Sequence, residues 1–375
     1  MARARASADS SLMDAKAARS EAWAALAYKA LPLDTLVTLL RAFGEPSAIL
    51  DASRSDLAAV VPAAAVSRLM EPLPEASMAA IRAWLTEPGN DLVAWDDPDY
   101  PRALLELGHA PPVLYFVGRR ELLNRPALAI VGSRNATRQG GESAQLFGRA
   151  VAQAGVTVAS GLALGIDAAA HRGALAADSD ASTIAVVGTG VDVTYPASNR
   201  ALTADVRKRG VVISEFTLRT PAIAHNFPRR NRIIAGITRG TLVVEAALRS
   251  GSLITARLAA ENGREVFAVP GSIHSPLAKG CHRLIRDGAK LVESAQDVLE
   301  EIGFARRGAA RADDAPVEPA AHADVLNLVG HDPVDLERLV EQSGREPGEL
   351  VGALLELELA QHVERLPGNR YQRLR

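Results

Sequence analysis

Residues 211–271, VVISEFTLRTPAIAHNFPRRNRIIAGITRGTLVVEAALRSGSLITARLAAENGREVFAVPG, decide the fold. Val211 to Phe216, Thr241 to Ala246 and Glu265 to Val269 are short apolar runs rich in β-branched residues. Each is closed by a turn or helix signal, so they read as buried strands. Helical stretches lie between them. Strand, helix, strand, helix, strand predicts a mostly parallel sheet with covered faces, because parallel neighbours need a crossover and a helix usually supplies it.

The connections carry the chemistry. From Phe216 to Val244 there is no Asp or Glu, while Arg219, Arg229, Arg230, Arg232 and Arg239 all fall inside that span. In a chain whose formal net charge is only -2, such a cluster beside strand ends reads as a local anion site, and guanidinium forks suit phosphate. The carboxyl edge of an open sheet is also where such folds bind ligands. The alternative is that some of these arginines pair with distant carboxylates.

The chain has 375 residues, 48% of them hydrophobic and 4% aromatic, enough for two or three domains with ordinary cores. A single cysteine, Cys281, excludes an intrachain disulfide and fits a reducing cytoplasm. No stretch approaches the ~18 apolar residues of a membrane span, and no signal-peptide core appears. The near-neutral balance restricts any polyanion site to a patch.

Taken in order, residues 1–20 are polar and Ala/Ser-rich and are expected to be disordered. Residues 21–90 read as a small helical domain: Phe43-Gly44 ends one run, and Asp51, Ser53 or Ser55 offers a cap for the next. This part resembles helix-hairpin-helix or SAM-like modules. Pro98, Pro101, Pro111 and Pro112 then hold the chain extended, with a short strand, Val113 to Val117, at or near a sheet edge. The α/β core spans residues 91–303. ALAIVGSRNATRQG runs from strand into a turn at Gly132, Ser133 and Arg134, with Thr137 as helix N-cap. That geometry can present backbone amides to a phosphate. Neither a Walker motif nor a dinucleotide fingerprint is present, so no nucleotide cofactor is expected. Strands Val156 to Ser160 and Thr183 to Val187 repeat the plan, with helices from about Ile166 and Asn199.

Asp167 and His171, spaced i, i+4, read as capping and packing residues, since no third metal ligand accompanies them. Cys281, His282 and His274 match no zinc spacing, and a buried thiol is expected. Tyr195, Pro196 and Asn199 form a rigid polar loop whose ring can stack on a base or simply pack. Ser250, Gly251 and Ser252 can cap the following helix or present hydroxyls and amides to a phosphate. Residues 304–320 read as a linker. Residues 321–375 read as helix, turn, helix and a hairpin around Pro367-Gly368-Asn369-Arg370, so they resemble a winged helix; Asp335, Glu337 and Glu341 favour protein contact over DNA.

At GSR, SGLALGIDAAAH, VVGTGVDVTYPASN, FPRRNRIIAG, VVEAALRSGSLITAR and VFAVPG the sequence resembles the DNA-processing protein A (DprA/Smf) family, nearly continuously from about Tyr100 to Glu301. The resemblance implies an extended Rossmann-like domain that binds single-stranded DNA and dimerises. It also implies handing incoming strands to the recombinase RecA in natural transformation, past single-strand-binding protein. Family contacts match Gly132, Ser133, Arg134, the Ser160-Gly161 turn, the loop from Gly190 through Tyr195 to Asn199, and Phe227, Arg229, Arg230, Asn231 and Arg232. Thr217 to Thr220 departs from the family's Pro/Gly-rich turn.

Residues and resemblance together predict a non-enzymatic, cytoplasmic, homodimeric binder of single strands, needing no cofactor and no metal. Arginines and helix N-termini would hold the backbone while Tyr195 or Phe227 stacks a base. The competing expectation is a nucleoside monophosphate hydrolase of a related fold, with SGSLIT as phosphate loop and Glu245 as acid.

Overall fold

The structure, a computed structural model, describes residues 2–304 and 322–374, with side chains from residue 15 onward. Two compact units result, divided between Ala305 and Arg306. Apart from Phe304, the linker expected over 304–320 lies outside the described residues.

The first unit is built on nine strands: β1 (Asn90–Ala94), β2 (Val113–Gly118), β3 (Ala127–Val131), β4 (Thr157–Ser160), β5 (Thr183–Val186), β6 (Val211–Ser214), β7 (Gly240–Val243), β8 (Glu265–Ala268) and β9 (Lys290–Leu291). Their order across the sheet is β1-β2-β6-β5-β4-β3-β7-β8-β9. From β6 to β9 every pairing is parallel, while β1 and β2 extend the sheet antiparallel. The strands expected from the apolar runs are therefore present, with ends that differ from the expected ones by one to three residues.

Central strands β3 to β7 are buried at every position because both faces are covered, and β3 is apolar throughout. Ala129 and Val131 point to one side, against Ile233, Ile234 and Ala256 of the helices Asn226–Gly236 and Ser252–Glu261. Leu128 and Ile130 point to the other, against Ala144, Phe147 and Val151 of Arg138–Gln153 and Ala169 and Ala170 of Ile166–Ala176.

The N-terminal helices do not form a separate unit. Trp23, Met78, Ile81 and Trp84 share one apolar cluster with Tyr115, Leu162, Leu202 and Val212 of the α/β core. Trp84 meets the Tyr115 ring edge-on at 6.0 Å. The expected disorder over residues 1–20 is also replaced, by a helix over Ala2–Tyr28. Its last turns are anchored by buried Ser20, Trp23 and Leu26 and by Arg19 bridging Asp96 and Asp97. Of the proposed caps, Ser53 serves, accepting from the Asp56 amide at 3.2 Å. Gly44 ends its helix with φ +84°, a conformation that favours glycine.

The second unit has helices Ala323–Leu328, Leu336–Ser343 and Pro347–Leu359 and strands β10 (Val334–Asp335), β11 (Val363–Leu366) and β12 (Arg370–Arg373). The sheet order is β10-β12-β11, with the hairpin closing around Pro367 to Asn369. This is the helix-turn-helix plus wing that the sequence pattern predicts. No helix among the described residues is long and apolar enough to cross a membrane.

Candidate nucleic-acid interface

The chain winds outward from β3 through β4, β5 and β6, then returns to the other flank of β3 for β7. Loops leaving β3 and β7 diverge at that reversal, which in open α/β sheets opens a ligand crevice at the carboxyl ends. A cavity of about 550 Å³ lies there, lined by residues 131–135, by Ala163 and Asp167, by Phe227, Pro228, Arg230 and Asn231, and by Ala247 and Arg249 to Ser252. The motifs GSR, FPRRN and SGS thus meet at one place.

The floor of the site is a loop fastened from inside. Asp167 Oδ2 accepts from the amides of Gly161 at 3.1 Å and Ala163 at 3.4 Å. Asn199 Nδ2 donates to the carbonyls of Leu162 at 3.0 Å and Ala163 at 3.3 Å. Arg230 Nη1 donates to the Gly161 carbonyl at 2.7 Å and to that of Val186. A Cβ on Gly161 would collide with the Arg230 guanidinium, so glycine is required by close approach.

These contacts correct several expectations. Ser160, Asn199 and Arg230 are buried and hold the loop rather than face a ligand; the Ser160 hydroxyl donates to the Ile130 carbonyl at 2.6 Å. Gly161 and Gly190 are buried as well. The acid-free arginine cluster is not one surface. Arg229 and Arg232 both pair with Glu215, which stands one residue before the span, and Arg232 also donates to the His109 carbonyl. Arg239 lies over the Phe304 ring at 5.0 Å and donates to the Ile302 carbonyl. Arg230 shares the stripe i, i+3, i+4, i+7 with Ile233, Ile234 and Ile237, and that periodicity marks it as a buried-face residue.

Burial sets the local electrostatics. Desolvation pushes Asp167 upward, opposed by Arg230 and the two loop amides. It pushes Arg230 down to about 10, against the pull of Asp167, so the guanidinium keeps its charge at neutral pH. His171 is pushed down to about 3 by burial and by Arg230, and its Nδ1 lies 2.7 Å from Thr183 Oγ1. Cys281 is buried with its Sγ 3.6 Å from the carbonyls of Val243 and Val244, and burial raises its thiol to about 12. Among the described residues no group of three His, Cys, Asp or Glu is placed to hold a metal.

Two helix N-termini border the crevice, and they differ. That of Arg138–Gln153 is already satisfied: Thr137 caps the Gly140 amide at 3.0 Å, and the Glu245 carboxylate accepts from Thr137 N at 3.0 Å and Thr137 Oγ1 at 2.6 Å. An internal anion thus sits where the turn after β3 was expected to receive a phosphate. The N-terminus of Ser252–Glu261 has no side-chain cap; Ser250 and Ser252 hydroxyls bond each other at 2.7 Å beside the cavity.

What remains exposed is a short ladder. The Arg134 guanidinium lies over the Phe227 ring at 5.6 Å, and Tyr195 meets the same ring at 5.4 Å and 37°. Arg134 and Tyr195 are solvent-exposed. Asn231, Arg249, Ser250 and Gly251 complete the wall, and Ser133 and Ser252, expected from sequence to meet a ligand, line it but are buried. Arg249 and Asn135 were not singled out from sequence, although Arg249 immediately precedes the SGS motif. A cation, two rings and an uncapped helix start can grip an anionic chain and stack its flat groups.

A family model described as DNA recombination-mediator protein A matches residues 91–303, and one described as DprA winged helix domain matches residues 309–369. The chain is 41% identical to Protein Smf of Escherichia coli (strain K12) over 313 residues, 80% of this chain and 82% of that protein. The chain belongs to the DNA processing protein A (DprA/Smf) family.

It is also 47% identical over 208 residues to DNA processing protein DprA of Streptococcus pneumoniae (strain ATCC BAA-255 / R6), covering 56% of this chain and 73% of that one. The solved Streptococcus pneumoniae DprA structure superposes with a TM-score of 0.64 at 39% identity, over 73% of this chain and 94% of that one. DprA from Helicobacter pylori, whose structure is described by its single-stranded DNA binding mode, superposes with a TM-score of 0.51 at 27% identity, over 56% and 95%. The matched residues 91–303 include every residue lining the crevice, while the Glu245 of the nucleotide-hydrolase alternative is tied to Thr137.

Proposed function

We propose that this protein is a recombination mediator that binds single-stranded DNA, using the Arg134–Phe227–Tyr195 ladder to stack bases and the Ser250–Ser252 helix start, with Arg134 and Arg249, to hold phosphates. The observation that carries this reading is the ladder itself: the Phe227 ring, which lines the crevice, touches the Tyr195 ring and carries the Arg134 guanidinium. Every unpaired base offers a π-face, so such a surface is sequence-tolerant, and its phosphate contacts make it salt-sensitive. A stacked duplex has no free base faces to offer it.

Catalysis is not part of the proposal. Bound strand is handed to a RecA-type recombinase in the cytoplasm, displacing single-strand-binding protein, as in natural transformation. A homodimer would carry two such crevices and gain avidity through effective concentration.

The test is fluorescence anisotropy with labelled oligo-dT and a duplex of equal length across a salt series. Tight binding of oligo-dT with a steep salt slope, and weak binding of duplex, is expected. Equal affinity for both would overturn the reading. Strand exchange by RecA on strands coated with single-strand-binding protein tests the hand-over, which fails if added protein gives no acceleration.

A further inference from the structure

In a helix-turn-helix the second helix normally enters the major groove. Here that helix, Pro347–Leu359, contains no Lys or Arg and three glutamates. The described residues of its unit, 322–374, hold ten carboxylates against five arginines. Such an element repels phosphate.

Its outward face is apolar instead. Val351, Leu355 and Leu359 are 41%, 54% and 77% exposed, and their spacing of four puts them on one stripe. Gly348 and Gly352 continue that stripe. Glycine in a helix interior costs about 1 kcal/mol relative to alanine. Neither glycine has a positive φ, and a Cβ on either would meet open space, so this unit's own packing demands neither. Without side chains, the two positions leave a shallow trough that lets another helix approach closely. Glu349 and Glu356 flank the stripe on one side and Glu358 on the other.

We propose that this face docks a helix of a partner protein, one with a small-and-aliphatic stripe bordered by Lys or Arg. The carboxylates on both flanks select the partner's charge, the leucines supply the buried area, and the glycines set the helix separation. A second copy of the same helix fits poorly, because pairing two of them brings glutamate against glutamate. Double-stranded DNA is disfavoured for the same reason of charge.

The experiment uses the full chain and a fluorescein-labelled amphipathic peptide of about 18 residues, with Ala and Leu on its apolar stripe and Lys on the flanks, at about 0.1 M salt where exposed charges still act over ~10 Å. A peptide with Glu in place of Lys is the control. Saturable binding of the Lys peptide alone is expected, with affinity falling about tenfold or more in Leu355→Asp and in Gly352→Leu. Gly352→Leu should not lower the melting temperature, since leucine is the better helix former and the space is open. Unchanged oligo-dT affinity reports an intact first unit. The proposal is overturned if either variant binds the peptide as the parent does, or if the Glu peptide binds equally well. It is also overturned if Leu355→Asp abolishes a concentration-dependent self-association, which would assign the face to a second copy, or if duplex DNA displaces the peptide and itself loses affinity in Leu355→Asp.

Discussion

Arg134 and Arg230 both belong to arginine motifs at the crevice, yet the structure exposes the first and buries the second, and replacing each with alanine separates the proposed binding role from the bracing one. Arg230 is buried, bonded to two carbonyls and set against buried Asp167. Deleting the guanidinium leaves the buried Gly161 and Val186 carbonyls unpaired at about 2 kcal/mol each, about 4 kcal/mol together, and removes a favourable charge near Asp167. The charge part is capped, because Asp167 can take up a proton. For a unit of this size about 2 °C of melting temperature accompanies each kcal/mol, so Arg230→Ala should melt about 8 °C lower. A group whose folded pKa is raised contributes stability that is present below its unfolded value and lost as pH rises through the folded one. Loss of Arg230 removes the charge that holds Asp167 down, so the deficit of Arg230→Ala should shrink as pH falls below 7, and adding Asp167→Asn should recover most of the charge part. Arg134→Ala should leave the melting temperature within about 1 °C, weaken oligo-dT binding and reduce the salt slope by about 0.7. Scanning calorimetry and anisotropy on the two variants decide. An Arg230→Ala protein that melts like the parent but loses single-strand binding would refute the buried-brace assignment.

Phe227→Ala should weaken oligo-dT binding by about 1–3 kcal/mol, and Phe227→Ala/Tyr195→Ala should lose less than the sum of the singles because the rings touch; additive losses by anisotropy would show the rings acting apart. Gly161→Ala forces a methyl into the Arg230 guanidinium, so both stability and binding should fall, measured by melting and by anisotropy. His171 sits at about 3 when folded against an ordinary 6.5, so the unfolded chain binds more protons between these values and stability falls as pH drops from 6.5 toward 3, by at most about 1.4 kcal/mol per unit. Melting curves of His171→Gln between pH 6.5 and 5 should show a flatter slope than the parent. Glu245→Gln keeps the shape at Thr137 but removes the charge at a helix start, which should lower stability by about 0.3–2 kcal/mol and leave oligo-dT affinity equal or higher at low salt. Loss of binding with unchanged melting would give that carboxylate a direct role.

The α/β sheet was legible because strands buried on both faces read as largely apolar runs: Val211–Ser214 and Glu265–Ala268 fall inside the predicted runs, and Gly240–Val243 starts one residue before its own. Thr137 as cap and the wing around Gly368 were legible for the same reason: local chemistry fixed them. The helix over Ala2–Tyr28 was hidden because its first half carries no apolar periodicity, and what anchors its end lies some 60–80 residues away: Trp84 in the shared cluster, Asp96 and Asp97 for Arg19. The arginine span was misleading for a different reason. Counting acids along the chain cannot see that Glu215, just outside the span, serves two of its members, nor that Arg229 and Arg230, adjacent in sequence, stand about 100° apart on a helix.

That last point governs how the proposed site would hold an anion. If all five arginines faced one groove, binding would be charge-dominated, and any polyanion, duplex included, would compete. With Arg230 committed to the loop, Arg229 and Arg232 sharing Glu215, and Glu245 holding one helix start, Arg134 and Arg249 are the arginines lining the cavity that no carboxylate ties. Two guanidiniums cannot by themselves outcompete a duplex for phosphate. Discrimination must then come from the faces of Phe227 and Tyr195, which only a strand with unstacked bases can cover, and the ratio of single-strand to duplex affinity should collapse on losing the rings while surviving the loss of Arg134.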